Sequence, residues 1–487
     1  MLSVYDERRV KIVATLGPAS RERDTLRELF LAGLDVVRIN AAHGSPEERA
    51  VLVNDVRTVA DEIGKLVPIL FDLRGLKIRT GPLANPAEES VGIPRGGTVT
   101  IVNTPAPTTN ELIGIDFPQL FEFVHTGSRI LISDGLIELL VERIDGKSAQ
   151  CHVGRGGQLH GRQGVTLPEA MIKGGSLTPV DREDLQWGVE QGVDFIGLSF
   201  VSDASDLHLA REVAGWYSPR PPHLIAKIER PQALENVRSI AGAADGLMVA
   251  RGDLGVQMAP ERVPRAQKEI IRVANEYALP VITATQMLES MIRQPVATRA
   301  ETTDVANAVW DGTDAVMLSA ETAIGQYPVE AVRTMGRIIR EAEIDGPIRT
   351  PASEKPLPNL NEPTLAVADA IAKAVRTLAD EAPVGHVVVF TQTGASVRRV
   401  AKYRPKPPII GLATDIETAR RLNLIWGVRS GVVPIEENPD HLFLVAGKKI
   451  IEEGLATDGE FALIAGSLPM THVSGRTNML HVRRLGT

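Results

Sequence analysis

Residues 223–253 read HLIAKIERPQALENVRSIAGAADGLMVARGD. Two short apolar runs, HLIAKIE and GLMVA, carry Lys227 and Glu229 at the end of the first and lead into Arg251 and Asp253 at the end of the second. Similar runs lie to either side: KIVATLG, DVVRIN, VPILFDL and FIGLSF before them, LPVITATQ and AVMLSAE after. Most are separated by amphipathic helical patterns such as RDTLRELFLAG, PEERAVLVNDVRTVADEIG and DREDLQWGVEQG. Strands alternating with helices, each strand buried on both faces, predict a parallel (β/α)8 barrel of the TIM type. An open doubly wound sheet gives the same pattern, and periodicity alone leaves the two close.

One stretch breaks the alternation. From Gly81 to Ser176 the chain has short period-two segments, GTVTIVNT, SRILISDGLIELLVERI and SAQCHV, separated by Gly, Pro and Asn. They predict an all-β domain inserted after the third strand. The expected organisation is a barrel in two parts, 1–80 and 177–346, around an inserted domain, 81–176. A Pro-rich linker (347–363) and a C-terminal α/β domain (364–487) follow, the last built on VGHVVVFTQTG, PPIIGLAT, SGVVPI and EFALIAG.

At 487 residues the chain is long enough for two to four domains. A net charge of −8 argues against a nucleic-acid binder, although local Arg and Lys clusters still decide whether anionic substrates bind. The single cysteine, Cys151, excludes an intrachain disulfide framework and a cysteine metal cage, and a reducing cytosol is the expected compartment. The opening MLSVYDERRVKIVATLGPAS has no long apolar core, so no signal peptide is expected, and no run reaches the ~18 apolar residues of a membrane span.

Chemistry in a barrel gathers where strands end. Here those ends carry Arg38, Asn40 and His43; Asp72, with Lys77 and Arg79 behind it; Lys227 and Glu229; Arg251 and Asp253; Thr285 and Gln286; Ser319 and Glu321. In K-I-E, period two puts Lys227 and Glu229 on one face of the strand. With Asp253 they offer two carboxylates and an ammonium. A hard cation such as magnesium takes one or two carboxylates and completes its shell with water and substrate oxygens. The ammonium is then suited to charge on a transferring phosphoryl group or an enolate. Gly252 permits close backbone approach to a carboxylate, and Arg38 and Arg79 suit oxyanions. Taken singly, K-x-E reads as a structural ion pair, each arginine as a solvated or salt-bridging residue, and His43 as a structural loop histidine. Their convergence favours a site.

These residues resemble the pyruvate kinase family over nearly the whole chain. KIVATLGPAS, LTPVDREDLQWGVEQGVD, DGLMVARGDLGVQM, ITATQMLESMI and ATRAETTDVANAVWDGTDAVMLSAETAIGQYPVEAV are similar to its core segments in order and spacing, and GGQLHGRQGVTLP to the return from its inserted domain. The resemblance implies phosphoryl transfer between phosphoenolpyruvate and ADP, giving pyruvate and ATP, with Mg2+ or Mn2+ as cofactor. Lys227 would stabilise the transferring group and the enolate, and Glu229 and Asp253 would hold the metal. Arg38 and Arg79 would contact phosphates, with Thr15, Pro18, Asn40 and His43 near the nucleotide. The amides of Gly252 and Asp253 and the hydroxyl of Thr285 would hold the substrate carboxylate, and Thr285 and Ser319 would deliver a proton through water. The inserted domain would close as a lid carrying Asp134. The resemblance also implies a homotetramer.

TQTGAS, from Thr391 through Thr393 and Gly394 to Ser396, follows a strand and opens a helical pattern, a natural phosphate site. It resembles the family's effector loop; an ordinary capped turn is the plain alternative. Several positions depart from the family. R-x-N-F-S-H is here Arg38-Ile39-Asn40-Ala41-Ala42-His43, and D-T-K-G-P-E-I-R-T-G is Asp72-Leu73-Arg74-Gly75-Leu76-Lys77-Ile78-Arg79-Thr80-Gly81. Ala42 lacks a hydroxyl ligand, and Lys77 stands where potassium-dependent members carry glutamate. In the region of Asn40, Asp72 and Leu73, Lys77 is therefore expected to replace potassium, which would not be required. Val180 and Gln163 each remove a usual lysine. They leave room for an impaired or regulatory paralogue, while another metal–enolate lyase on a barrel is disfavoured by the inserted lid and the arginines.

Overall fold

The computed structural model describes residues 8–168, 170, 176–358, 362–434, 438–467 and 477–486. The leader expectation rests partly on residues 1–7, and the expected ends of the inserted domain and the linker run through 171–175 and 359–361; these lie outside the described residues.

Eight parallel strands close a barrel: β1 (Lys11–Thr15), β2 (Val36–Asn40), β3 (Ile69–Asp72), β4 (Phe195–Leu198), β5 (His223–Ile228), β6 (Gly246–Ala250), β7 (Val281–Ala284) and β8 (Ala315–Leu318). The ring shuts where Lys11 pairs with Ala315 and Val13 with Met317. Closure removes the open doubly wound alternative.

The strand period decides what fills the barrel. Val13, Val36, Leu70, Phe195, Ile225, Met248, Ile282 and Met317 form the inner cluster, whereas Ile12, Val37, Phe71, Ile196, Leu224, Leu247, Val281 and Val316 pack outward with the helices. Two residues further on, the inner rows of β1, β2, β3 and β5 arrive at Thr15, Arg38, Asp72 and Lys227. The alternation that builds the apolar core therefore also delivers the polar residues of the barrel mouth. At the opposite end Leu424, from the C-terminal unit, joins the inner cluster as a plug.

Between β3 and β4 the chain forms a seven-stranded sheet with its own core, including Ile101, Ile130, Leu139 and the buried Cys151. Its first and last strands, Ile78–Arg79 and Gly164–Thr166, pair with each other. The C-terminal unit is a five-stranded sheet. Its strands β9 (His386–Thr391), β10 (Ile409–Ala413), β11 (Val428–Val432) and β12 (Phe461–Gly466) are parallel, and β13 (Met479–Arg484) runs antiparallel on the edge of β12. It grips the barrel through Lys11 Nζ to the Val428 carbonyl (2.6 Å), Asn423 to the Leu66 carbonyl (2.6 Å) and Arg420 to Asp194 (3.1 Å). Among the described residues no helix is long and apolar enough to cross a membrane.

Candidate active site

Lys227 projects into the barrel mouth from the end of β5. Its Nζ lies 2.8 Å from Glu229 Oε1, 3.1 Å from Asp72 Oδ1 and 2.6 Å from the Ser199 hydroxyl. Arg38 donates Nε to Asp72 Oδ2 at 2.7 Å and Nη1 to the Thr15 hydroxyl at 2.8 Å. Thr15 in turn donates to the Leu318 carbonyl, which ties β1 to β8 beneath the site.

The electrostatics follow from burial and pairing. Burial pushes the Asp72 carboxyl up, but Lys227 and Arg38 outweigh it and hold the group below the usual carboxylate range. Burial pulls the Lys227 ammonium down, and Asp72 and Glu229 raise it well above an ordinary lysine, so it carries its charge throughout the physiological range. Glu229 is raised by burial and by Asp253, against the pull of Lys227. A buried carboxylate facing a second carboxylate gains from a dication placed between them. Among the described residues no three His, Cys, Asp or Glu side chains gather as a metal cage. The donor set is two carboxylates, which fits a hard cation that completes its shell with substrate oxygens.

The opposite wall is a strained turn. Thr285 and Gln286 have positive φ (71° and 54°), uncommon outside glycine and more so for the β-branched Thr285. Arg251 spans this turn, with Nη2 2.7 Å from the Thr285 carbonyl and Nη1 2.7 Å from Asp304. The Thr285 hydroxyl accepts from the Gly252 amide at 2.8 Å. That amide, expected to hold a substrate carboxylate, is thus engaged by Thr285 in this state. Ser319 donates its amide to Glu321 at 2.7 Å, and its buried Oγ has no hydrogen-bond partner among the described residues.

A model of the pyruvate kinase barrel domain matches residues 7–332, and one of the pyruvate kinase alpha/beta domain matches 369–483. The chain is 41% identical over 478 residues to the pyruvate kinase of Geobacillus stearothermophilus, covering 98% of this chain and 80% of that one. It is 40% identical over 481 residues to that of Staphylococcus aureus strain MRSA252, covering 98% and 81%. The chain belongs to the pyruvate kinase family. A crystal structure of a pyruvate kinase from Cryptosporidium parvum superposes with a TM-score of 0.87 at 32% identity, covering 98% of this chain and 96% of that one. As a pyruvate kinase it is a phosphotransferase of glycolysis, moving a phosphoryl group from phosphoenolpyruvate to ADP, and the family requires a divalent metal. The impaired-paralogue and lyase readings are not favoured.

Lys227, Arg38, Asp72, Glu229 and Thr15 form one contact network, with Asp253 acting on it through charge. Other expected residues stand outside that network. Arg79 is exposed and donates to the Arg162 carbonyl at 3.0 Å at the entry to the inserted domain, and Lys77 is exposed beside it. Pro18 and His43 are exposed, and Asn40 Oδ1 accepts the Ala42 amide at 3.0 Å. Asp134 is exposed on a left-handed turn (φ 53°), while the neighbouring Ser133 donates to Gln163 Oε1 at 3.3 Å. Val180 is 46% exposed at the start of a helix whose capping box joins Thr178 and Asp181. Thr391 Oγ1 accepts the amide of the left-handed Gly394 (φ 83°), and Ser396 bonds Thr477, in the TQTGAS segment. Ser199 and the Arg251 clamp were missed. A lone serine in FIGLSF carries no chemical signal, and the partners of Arg251 lie on other elements.

Proposed function

We propose that this pyruvate kinase works with magnesium, or manganese in its place, held by Glu229 and Asp253, without needing potassium. Bound there, the cation would supply a Lewis acid toward the phosphoryl and enolate oxygens. Lys227, fixed between β3, β4 and β5, presents a permanent positive charge to the oxygens of the transferring group, where charge develops in the transition state. Arg38, locked to Asp72 and Thr15, offers its remaining edge to phosphate. Gly252, Asp253 and Thr285 bind the substrate carboxylate, and Thr285 with Ser319 steers a proton to the enolate. Thr15, Pro18, Asn40, His43 and Arg79 belong to the nucleotide side. The inserted domain, with Asp134, closes over them to exclude water. The observation that carries this reading is the seat of Lys227, two carboxylates and a hydroxyl within 3.1 Å.

Potassium independence is supported by the oxygens expected around a monovalent cation. Asn40 Oδ1 accepts the Ala42 amide, Asp72 accepts Arg38 and faces Lys227, and the Leu73 carbonyl accepts the Ser199 hydroxyl. Lys77 would provide the charge in place of the ion. A coupled assay with phosphoenolpyruvate, ADP and magnesium in tetramethylammonium salts at constant ionic strength should give full activity. A rise of about tenfold or more on adding potassium overturns the proposal.

TQTGAS is proposed as a site for a phosphorylated effector, with Thr391, Thr393, Gly394 and Ser396 as its residues. Its support is a left-handed glycine opening the helix Ala395–Lys402. In a screen of sugar phosphates and AMP, activation should appear and Thr393→Glu should remove it; indifference of the wild type leaves only the capped turn. A cytoplasmic homotetramer completes the reading, with light scattering as the measure of assembly.

A further inference from the structure

An ammonium has three N–H donors and no acceptor. Those of Lys227 face three oxygens, and only one of these, the Ser199 hydroxyl, is uncharged. Ser199 directly follows β4, the strand between β3 and β5, and is 1% exposed. Its own O–H donates to the Leu73 carbonyl at 2.7 Å, so its lone pairs are what it presents to Lys227.

We propose that Ser199 is a positioning residue for phosphoryl transfer, fixing the Lys227 ammonium in the orientation from which it reaches the transferring group. Two carboxylates attract a cation strongly but leave it free to slide between them, because Coulomb attraction has little angular preference. The hydroxyl, pinned by Leu73, is the third leg of a tripod. Asp72 Oδ1, at 3.1 Å, attracts the ammonium without accepting a hydrogen bond from it, so the directional contact is left to Ser199. Glu229 is the acceptor with a second task, a point that rests on its proposed role as metal ligand. Were its oxygens drawn to a cation, Ser199 would still hold one N–H group and Asp72 would still attract the charge, leaving the rest of the ammonium for substrate. The neighbouring backbone is held close as well: Gly75 (φ +65°) approaches so nearly that a Cβ on it would lie 2.8 Å from Ser199 Cβ.

The same hydroxyl also ties the loop at Leu73 to the end of β4, a purely structural role. A double-mutant cycle separates the two roles. Ser199→Ala is made in the wild type and in Lys227→Arg, and kcat, KM for phosphoenolpyruvate and the thermal midpoint are measured in each. In the wild type kcat should fall about tenfold or more while KM stays within about threefold; in Lys227→Arg the same substitution should cost less than about threefold. Equal losses in both backgrounds assign Ser199 to the Leu73 tie and overturn the proposal, as does a wild-type loss below about threefold. If Ser199→Ala does not fold, Ser199→Cys, which keeps the volume and weakens the acceptor, runs the same cycle. The magnesium dependence of Glu229→Gln reads the metal assignment separately, so that its failure is not mistaken for failure here.

Discussion

Lys11, buried, and Lys227, part-buried, both sit on barrel strands, and their surroundings drive them in opposite directions. Lys227, at the mouth, has two carboxylates within hydrogen-bonding reach, and its pKa rises. Lys11, at the base, has the Val428 carbonyl at 2.6 Å. The carboxylate nearest in charge, Asp35, is already bonded to Arg8 (2.8 Å) and to the Ile12 amide (2.8 Å). Burial therefore dominates, helped by Arg8, Arg429 and Lys65, and lowers Lys11 to about 8. Burial alone does not make a lysine catalytic. The mouth assembles counter-charges and so holds a cation charged throughout the physiological range; at the base, the same side chain is an anchor with a stability cost.

The comparison breaks most visibly at Lys227. Lys227→Met should lower kcat by ~10²–10³ or more while phosphoenolpyruvate still binds, because the charge acts where negative charge develops. A kcat within about threefold of wild type would return Lys227 to the same class as Lys11.

Next in size is the counter-charge. Glu229→Gln and Asp253→Asn should each raise the magnesium needed for half-maximal activity by about tenfold or more, since a neutral amide is a poor ligand for a hard dication. Unchanged half-saturation in both variants would move the metal elsewhere.

The smallest effect concerns stability at the base. Lys11 has a folded pKa of about 8 against 10.5 unfolded. Between these values the unfolded chain binds more protons, so stability rises with pH across that window, and below pH 8 the full cost of the charge remains. That shift corresponds to a cost on the order of 3 kcal/mol, and Lys11 lines a cavity of about 610 Å³. Lys11→Met should therefore raise the thermal midpoint at pH 7, with its advantage over wild type shrinking from pH 8 to 10.5. A constant difference across that range would show that Lys11 is not titrating.

The barrel strands were legible because a parallel strand buried on both faces is an uninterrupted apolar run, and GLMVA is observed as Gly246–Ala250. The edge strand Met479–Arg484 was not read as a strand: in NMLHVRR exposed and half-buried residues mix, as on an edge facing solvent. Lys227 and Glu229 were legible because K-x-E lies on one strand face and needs no other element. Sequence places Asp72 at a strand end and in the expected cation region, without its partners. Its bridging of Arg38 and Lys227 is a relation between three strands, which sequence spacing does not encode. Ser199 was invisible for the same reason.

The pairing of Ile78–Arg79 with Gly164–Val165 has a consequence for how the chain assembles. β3 and β4 are neighbours in the ring, yet the whole inserted domain lies between them in sequence. Joining two such distant segments directly would carry the loop-closure entropy of a long excursion and a slow, non-local search. Because the excursion clasps its own ends, the barrel meets only a short hairpin. The inserted domain is topologically a bead on a closed stem, and a chain in which a brief turn joins Arg79 to Gly164 should still close its eight-stranded ring.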